Sequence, residues 1–341
     1  MLKIYIIILS FLFMSCDIHT NYQDEKLKEY FHDQWEQGLE NYPEFATYLG
    51  DHRYNDRLTD MSIAAIHKRN SQTQESNKEI LSINRKLLSS EYKLYYDLYA
   101  DKLQREMERQ KFKEYLMPIN QMGGIQIDAP NLVDVSPFNT YDDYQNYLQR
   151  LNGLSVKIDQ IITLMKIGIK EKIMPPQIVL ASVPEQIRKQ FSYPINESPF
   201  YNPFHNFPDN FDDELKQSLI DEGEKIVLSK IFPAFARLEE FFSNEYLPNA
   251  RKKIAVSSLP NGKDYYQYLV KDYTTTDLSI QEIHDTGLSE VARIHTEMEK
   301  IIMNLEFEGS FNDFLEHLRT DPKFYYDDAE KLLDGYRVIC K

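Results

Sequence analysis

Two histidines near the C-terminal end of the sequence are the first residues to consider for chemistry. His284 and His295 are eleven residues apart, which is about three helical turns and would place both on one face of an α-helix. Two sets of metal ligands could be drawn around them: His284 with Glu290, or His295 with Glu297 and Glu299. A more ordinary interpretation, which we favour, is that histidines beside an apolar stripe are hydrogen-bonded core or cleft residues.

No other histidine pattern indicates a metal site. None of the eight histidines has another histidine three or four residues away, the spacing that would place two ligands on one helical face. The sequence also lacks His-Glu-x-x-His, Gly-x-Ser-x-Gly, a phosphate-binding glycine-rich loop and Cys-x-x-Cys. The sequence therefore predicts no catalytic residue, no metal ligand and no cofactor bound by this chain itself.

The element that carries the two histidines is a predicted amphipathic helix. Ser279 and Glu282 have the spacing of a capping box, which satisfies unpaired backbone N–H groups at a helix start. Apolar residues then recur at three- and four-residue steps: Ile280, Ile283, Leu288, Val291, Ile294, Met298 and Ile301. This periodicity predicts a helix with one buried face.

The same periodicity recurs along the chain and predicts an all-α fold, a continuous multi-helix body without internal repeats. The predicted helices cover 25–40, 62–88, 91–112, 141–169 and 212–246, the last with a kink at Pro233 and with Pro248 just past its end. Residues 118–137 and 193–213 are predicted to be irregular. The composition agrees, because 24 Tyr and 19 Phe against 11 Gly suit packed helices better than a β-sandwich rich in glycine turns.

The charge of the chain excludes one class of partner. The formal net charge is −15, from 54 acidic and 39 basic residues. Nucleic-acid binding requires a basic patch, and no dense run of Lys or Arg is present. We therefore expect no nucleic-acid partner.

The N-terminus has the features of an export signal. Lys3 precedes an apolar stretch, Ile4 to Met14, which is too short to span a bilayer and suits a signal peptide. The run Leu12-Phe13-Met14-Ser15-Cys16 resembles a bacterial lipobox, although Phe13 departs from the preferred residue types. The resemblance implies a signal peptide over 1–15, lipidation of Cys16 and a membrane-anchored lipoprotein of the cell envelope, on its periplasmic or surface face. The alternative is an ordinary signal peptide with an incidental cysteine.

The lipobox also fixes the expected domain organisation. Residues 16–24 are predicted to form a polar tether and residues 25–341 the helical domain. If Cys16 is lipidated, only Cys340 remains, so the chain has no intrachain disulfide framework.

Several segments resemble one family, the bacterial proteins of domain of unknown function 885. The resemblance covers nearly all of the mature chain and follows the expected order. It is carried by five blocks: Pro43 to Leu58, Pro118 to Gly124, Tyr141 to Leu151, Leu259 to Tyr266 and Thr274 to Met298.

The resemblance implies a helical zinc metallopeptidase, related in architecture to thermostable-carboxypeptidase-like and oligopeptidase-like enzymes. The family's presumed zinc stretch, His-Glu-x-x-Pro-Gly-His, and its later Gly-Trp-Ala-Leu-Tyr-x-Glu segment lie C-terminal to these blocks. Neither stretch occurs in this sequence, so no catalytic residue can be carried over. We expect a chain truncated at its C-terminus and inactive alone, with zinc belonging to the full-length family.

The resulting functional hypothesis is the N-terminal lobe of a peptidase-like lipoprotein, with a peptide as substrate. Seven residues are expected to line one wall of the substrate channel: Asn120, Gln121, Gly123, Gly124, Thr274, Thr275 and His284. Glycines would allow a peptide backbone to approach closely, and amide and hydroxyl groups would hydrogen-bond it. The alternative is a non-catalytic surface lipoprotein that binds a ligand or partner through the same cleft.

Overall fold

The computed structural model describes residues 2–340, with side chains from Tyr22 onwards. The chain divides into two compact units, Met1–Asp272 and Tyr273–Lys341. The described residues form fifteen α-helices and contain no β-strand, only two isolated bridges. The all-α prediction is confirmed.

The N-terminal helix α1 (Leu2–Asn41) runs through the segments predicted as signal peptide and tether. Cys16, the predicted lipidation site, lies outside the described side chains. Within the described part of the chain, no helix is both long enough and apolar enough to cross a membrane. The signal peptide, the tether and the lipid anchor therefore stay predictions.

In the first unit the remaining helices are α2 (Pro43–Tyr48), α3 (Ile63–Leu81), α4 (Ser90–Arg109), α5 (Ile125–Asp128), α6 (Leu132–Val135), α7 (Tyr141–Glu171), α8 (Val183–Lys189), α9 (Asp213–Ile226), α10 (Phe232–Phe241), α11 (Leu247–Asn249) and α12 (Gly262–Thr274), which ends just past the unit boundary. The second unit holds α13 (Ile280–Asn304), α14 (Phe311–Thr320) and α15 (Ala329–Ile339). The long helices α4 and α7 follow the predicted segments 91–112 and 141–169 closely, whereas α3 ends at Leu81 and not at residue 88. The segments predicted to be irregular contain only short helices and 3₁₀ turns.

Side-chain caps fix the starts of α7 and α13. At α7, the Thr140 hydroxyl accepts from the Asp143 amide at 3.2 Å, and the Asp143 carboxylate accepts from the Thr140 amide at 2.9 Å. At α13, Ser279 and Glu282 form the same reciprocal pair, at 3.2 and 2.8 Å. The capping box predicted at Ser279 is confirmed, and α7 begins with one as well.

The predicted helix over 212–246 differs in its details. It continues from α9 through α11, with π-helical turns at Val227–Ile231 and Phe242–Tyr246. Each π turn stands just before a proline, Pro233 or Pro248, which has no N–H to donate. A wider turn is one way in which a helix continues past such a position. The prediction that the helix ends before Pro248 is wrong, because Pro248 lies inside α11.

Aromatic side chains dominate the core of the first unit. Tyr144 and Tyr147 on α7 are buried, and each hydroxyl donates to a backbone carbonyl of residues 193–213, the second of the segments predicted to be irregular. Tyr144 donates to the Asn206 carbonyl at 3.0 Å, and Tyr147 to the Phe200 carbonyl at 3.0 Å. The hydroxyls therefore tie an otherwise irregular segment to the longest helix of the core.

Arg150 is a buried charged residue that fixes the chain around α2. Its side chain is 1% exposed, and it donates to the Arg57 carbonyl at 2.9 Å and to the Pro43 and Tyr54 carbonyls at 3.2 Å. Burial lowers the pKa of its guanidinium. Through these bonds Arg150 holds residues 43–57 against α7.

The second unit buries far less apolar surface. Of its described residues only Ile302 is buried. The stripe on α13 that the sequence predicts to be buried is instead 37% to 66% exposed: Ile280, Leu288, Val291, Ile294, Met298 and Ile301. The physical reason is that the periodicity fixes which residues share a face, whereas burial needs a covering element.

Candidate functional site

Four of the seven predicted cleft residues form one tight turn in the first unit. The Asn120 amide donates to the Gly123 carbonyl at 3.0 Å, and the Asn120 side chain accepts from the Met122 amide at 2.8 Å. Gly124 has a φ of 124°. A Cβ there would lie 2.7 Å from Gln126 Oε1 and 3.0 Å from the Pro118 carbonyl. The turn therefore requires glycine at this position.

Glutamine side chains from neighbouring helices hold this turn. Gln126 on α5, 1% exposed, donates from Nε2 to the Asn120 carbonyl at 2.9 Å. Gln186 on α8 donates to the Gln121 carbonyl at 3.1 Å. The Oε1 atoms of Gln121, Gln126 and Gln190 are buried without a hydrogen-bond partner. An unpaired buried acceptor costs about 1–3 kcal/mol, so the packing around this turn is held at an energetic cost.

The other three predicted residues belong to the second unit. Thr274 and Thr275 precede α13, where Thr275 has a φ of 53° and its hydroxyl donates to the Thr274 carbonyl at 2.7 Å. His284 is exposed on α13. The structure thus brings Asn120, Gln121, Gly123 and Gly124 together. That all seven residues line one cleft stays a prediction.

The described histidines do not fit a zinc site. The His295 ring stacks on Phe311 with centroids 4.8 Å apart, and its Nδ1 lies 3.4 Å from a Glu299 oxygen. A zinc site needs at least three protein ligands around the ion. No cluster of three or more His, Cys, Asp or Glu side chains suited to a metal exists in the described part of the chain. No catalytic step through zinc can be derived from these residues.

A cleft with a volume of about 500 Å³ lies between α1, α3 and α4. It is lined by polar side chains that sequence reasoning missed, among them Gln34, Gln37, Arg69, Asn70 and Gln110. None of the seven predicted residues is among the lining residues. A signal was present in the sequence, since Gln34, Gln37 and Asn41 are spaced by three and four residues and so share a face of α1.

A smaller cleft of about 280 Å³ is lined by Glu44 and Lys157. Burial alone would raise the pKa of the Glu44 carboxyl. The Lys157 ammonium and the Thr59 hydroxyl outweigh burial, so that the pKa lies below its usual value. Both side chains are mostly buried, at 21% and 17% exposure. The pair is an ion pair that links α2 to α7.

Comparisons with known proteins agree with this architecture. The family described as "Bacterial protein of unknown function (DUF885)" matches residues 43–341. Among solved structures, the chain is similar to the crystal structure of a "putative lipoprotein" from Colwellia psychrerythraea, with a TM-score of 0.80 and 21% sequence identity. That likeness covers 92% of this chain and 57% of the other, so the chain spans little more than half of that protein. No curated protein matches the chain.

Proposed function

This chain belongs to the DUF885 family of bacterial proteins, and from that premise we propose that it is the N-terminal helical lobe of an exported peptidase-like lipoprotein that binds peptides. The turn Asn120–Gly124 would form part of the wall along which the peptide lies. Zinc and the hydrolytic step would belong to family sequence that these 341 residues do not contain.

The observation that carries this proposal is the construction of the turn. Gly123 has open space where a Cβ would stand, so a peptide backbone can approach the main chain closely there. Gln126 and Gln186 donate to the Asn120 and Gln121 carbonyls and so hold the turn in place. The turn would therefore present a preformed main-chain surface to a peptide.

A binding measurement on the zinc-free chain tests this proposal. We expect a terminally blocked hexapeptide of alternating Ala and Ser to bind saturably in calorimetry with EDTA present. Gly123→Ala should weaken binding about tenfold, because its methyl group would occupy the space of the peptide, while leaving the melting temperature unchanged. Gly153→Ala is the matched control, because a Cβ there meets only Leu58 at an ordinary 3.6 Å.

Either of two results would count against the proposal. One is the absence of saturable binding, and the other is equal affinity of wild type and Gly123→Ala. The zinc part of the proposal has its own test. We expect less than stoichiometric zinc on the purified chain and no peptide hydrolysis. Tight stoichiometric zinc would show that the ligands are present after all.

The alternative is a surface lipoprotein that binds a ligand and has no catalytic role. The cleft between α1, α3 and α4 favours it, because helices of this chain alone form that cleft. Assays on a family protein that contains His-Glu-x-x-Pro-Gly-His distinguish the peptidase-like proposal from this alternative. Zinc-dependent peptide hydrolysis by that protein supports the peptidase-like proposal, and ligand binding without hydrolysis supports the alternative.

Membrane anchoring is proposed on the lipobox-like run that ends at Cys16. We expect labelled palmitate to be incorporated into the protein in cells, and Cys16→Ser to abolish both the label and the membrane association. Export with membrane association but without label would indicate an anchor other than lipid on this cysteine.

A further inference from the structure

The cleft between α1, α3 and α4 is built from one face of each helix. Its volume of about 500 Å³ lies within the range of about 300–1,000 Å³ that is typical of small-ligand sites. The lining residues recur at helical spacing: Gln34, Gln37 and Asn41 on α1, Arg69, Thr73 and Ser76 on α3, and Lys102, Glu106 and Arg109 on α4. The cleft is therefore a regular product of the helix packing.

The charge of this cleft is opposite to that of the chain. Four cations and two carboxylates line it: Arg69, Lys102, Arg109, Lys113, Glu106 and Glu114. The lining residues alone carry two net positive charges in a protein with a net charge of −15, and the pairing of Lys113 with Glu171 reduces this excess to one. A cleft whose sign opposes the rest of the surface concentrates ligands of the complementary charge, here anions.

Most of these cations already have a carboxylate partner. The pairs are Arg109 with Glu114, Lys113 with Glu171 at 2.6 Å, and Lys102 with Glu106 at 3.7 Å. These pairs satisfy the charges of the two lining carboxylates. They leave one lining cation to consider as a ligand-binding group.

That cation is Arg69. Its Nη1 donates to the Asp60 carbonyl at 2.9 Å, and its guanidinium lies 5.6 Å from the centroid of the Tyr42 ring. Among the described residues, no carboxylate forms an ion pair with it, and the Asp60 carboxyl, whose pKa its charge helps to lower, is a more distant partner. A half-buried guanidinium held on one side by a carbonyl and an aromatic ring keeps its remaining N–H groups for a bidentate acceptor, and a carboxylate has that geometry.

Four carboxamides in the same cleft also lack partners. Gln34, Gln37, Asn70 and Gln110 are half-buried, and none hydrogen-bonds another side chain or backbone group that the structure describes. Each offers two donors and an acceptor. This is the set of groups that pairs with the C=O and N–H groups of a peptide backbone.

We propose that this cleft binds a short peptide through a carboxylate, with Arg69 as the group that recognises the charge and the four carboxamides as the groups that hold the backbone. The site uses none of the residues of the Asn120–Gly124 turn, so this proposal does not rest on the proposed function above.

Calorimetric titration with three terminally blocked tetrapeptides tests the proposal. They are identical except for Glu, Gln or Lys at the second position. The Glu peptide should bind, the Gln peptide about tenfold more weakly because a charged hydrogen bond is lost, and the Lys peptide more weakly still. Affinity for the Glu peptide should fall as salt is added.

Substitutions assign the effect to the cleft. Arg69→Gln should weaken binding of the Glu peptide about tenfold and leave binding of the Gln peptide nearly unchanged. Lys68→Gln is the matched control. It removes the same charge from the preceding residue of α3, which does not line the cleft. If the Arg69→Gln variant does not melt cooperatively, the Asn70→Ala variant takes its place. Asn70→Ala should weaken binding of all three peptides severalfold.

Four outcomes would overturn the proposal. The three peptides could bind equally, or none could bind, or Lys68→Gln could weaken the Glu peptide as much as Arg69→Gln. Equal competition by inorganic phosphate at the same concentration would also overturn it, because it would identify an anion site without preference for a peptide.

Discussion

Helices α7 in the first unit and α13 in the second are both long, both begin with a capping box and both carry a regular apolar stripe. Their fates differ. The stripe of α7 is buried, with Leu154, Ile158 and Met165 at 1% exposure or less, whereas Val291 on α13 is 66% exposed. The difference teaches that amphipathic periodicity predicts a helix and its apolar face, but not whether anything covers that face.

The difference has an energetic consequence. Full burial of a large aliphatic side chain stabilises a protein by about 1.5–3 kcal/mol. The first unit buries many such side chains. Among the described residues of the second unit, only Ile302 is buried. We therefore expect the second unit to open at a lower free energy than the first.

The largest expected effect is at Arg150 in the first unit. Arg150→Met should lower the free energy of unfolding by about 3–5 kcal/mol, because four hydrogen bonds from a buried cation are lost, to the Pro43, Tyr54 and Arg57 carbonyls and to the Thr47 hydroxyl. Urea denaturation followed by far-UV circular dichroism measures this. Arg57→Met, at an exposed arginine, should cost less than about 1 kcal/mol. Equal effects of the two variants would show that the Arg150 contacts contribute little.

Gly124→Ala should cost about 2–3 kcal/mol. The reason is a φ of 124° and a Cβ that would lie 3.0 Å from a backbone carbonyl. Gly123→Ala, one residue earlier, has open space and should leave the melting temperature unchanged. A Gly124→Ala variant as stable as wild type would show that the turn is not as rigid as its geometry indicates.

The Glu44–Lys157 pair gives the first unit a pH dependence. Because the folded pKa of Glu44 is lowered, its contribution is fully present above the unfolded pKa of about 4.3. The contribution is lost as the pH falls through the lower folded pKa. Glu44→Gln should cost about 1–2 kcal/mol at pH 7 and less at pH 3.

Urea denaturation at both pH values measures this difference. Asp97→Asn, which removes an exposed ion pair with Arg85, should change stability by less than about 1 kcal/mol at either pH. A Glu44→Gln cost that does not depend on pH would contradict the assignment.

The smallest effect is expected in the second unit. Ile294 is 45% exposed and Ile158 on α7 is fully buried. Ile294→Ala should cost less than about 1 kcal/mol, against about 2–5 kcal/mol for Ile158→Ala. Thermal denaturation of the two variants makes the comparison, and a cost above 2 kcal/mol for Ile294→Ala would mean that the α13 stripe is covered in solution.

The sequence predicted the elements better than the sites. Helix starts at Thr140 and Ser279 follow from local side-chain chemistry, which is visible in four residues of sequence. The Arg69 cleft could not be predicted in this way, because its lining comes from three helices and depends on how they pack. The burial of Arg150 could not be predicted either, because the carbonyls to which it donates lie about a hundred positions away in the chain.

Hydrogen exchange of the intact 341-residue chain tests the contrast between the two units most directly. Amides of α7 should exchange only through global unfolding, and amides of α13 should exchange at least about a hundredfold faster, through local opening. Equal protection of α7 and α13 would contradict this, because it would mean that the second unit is as firmly held as the first.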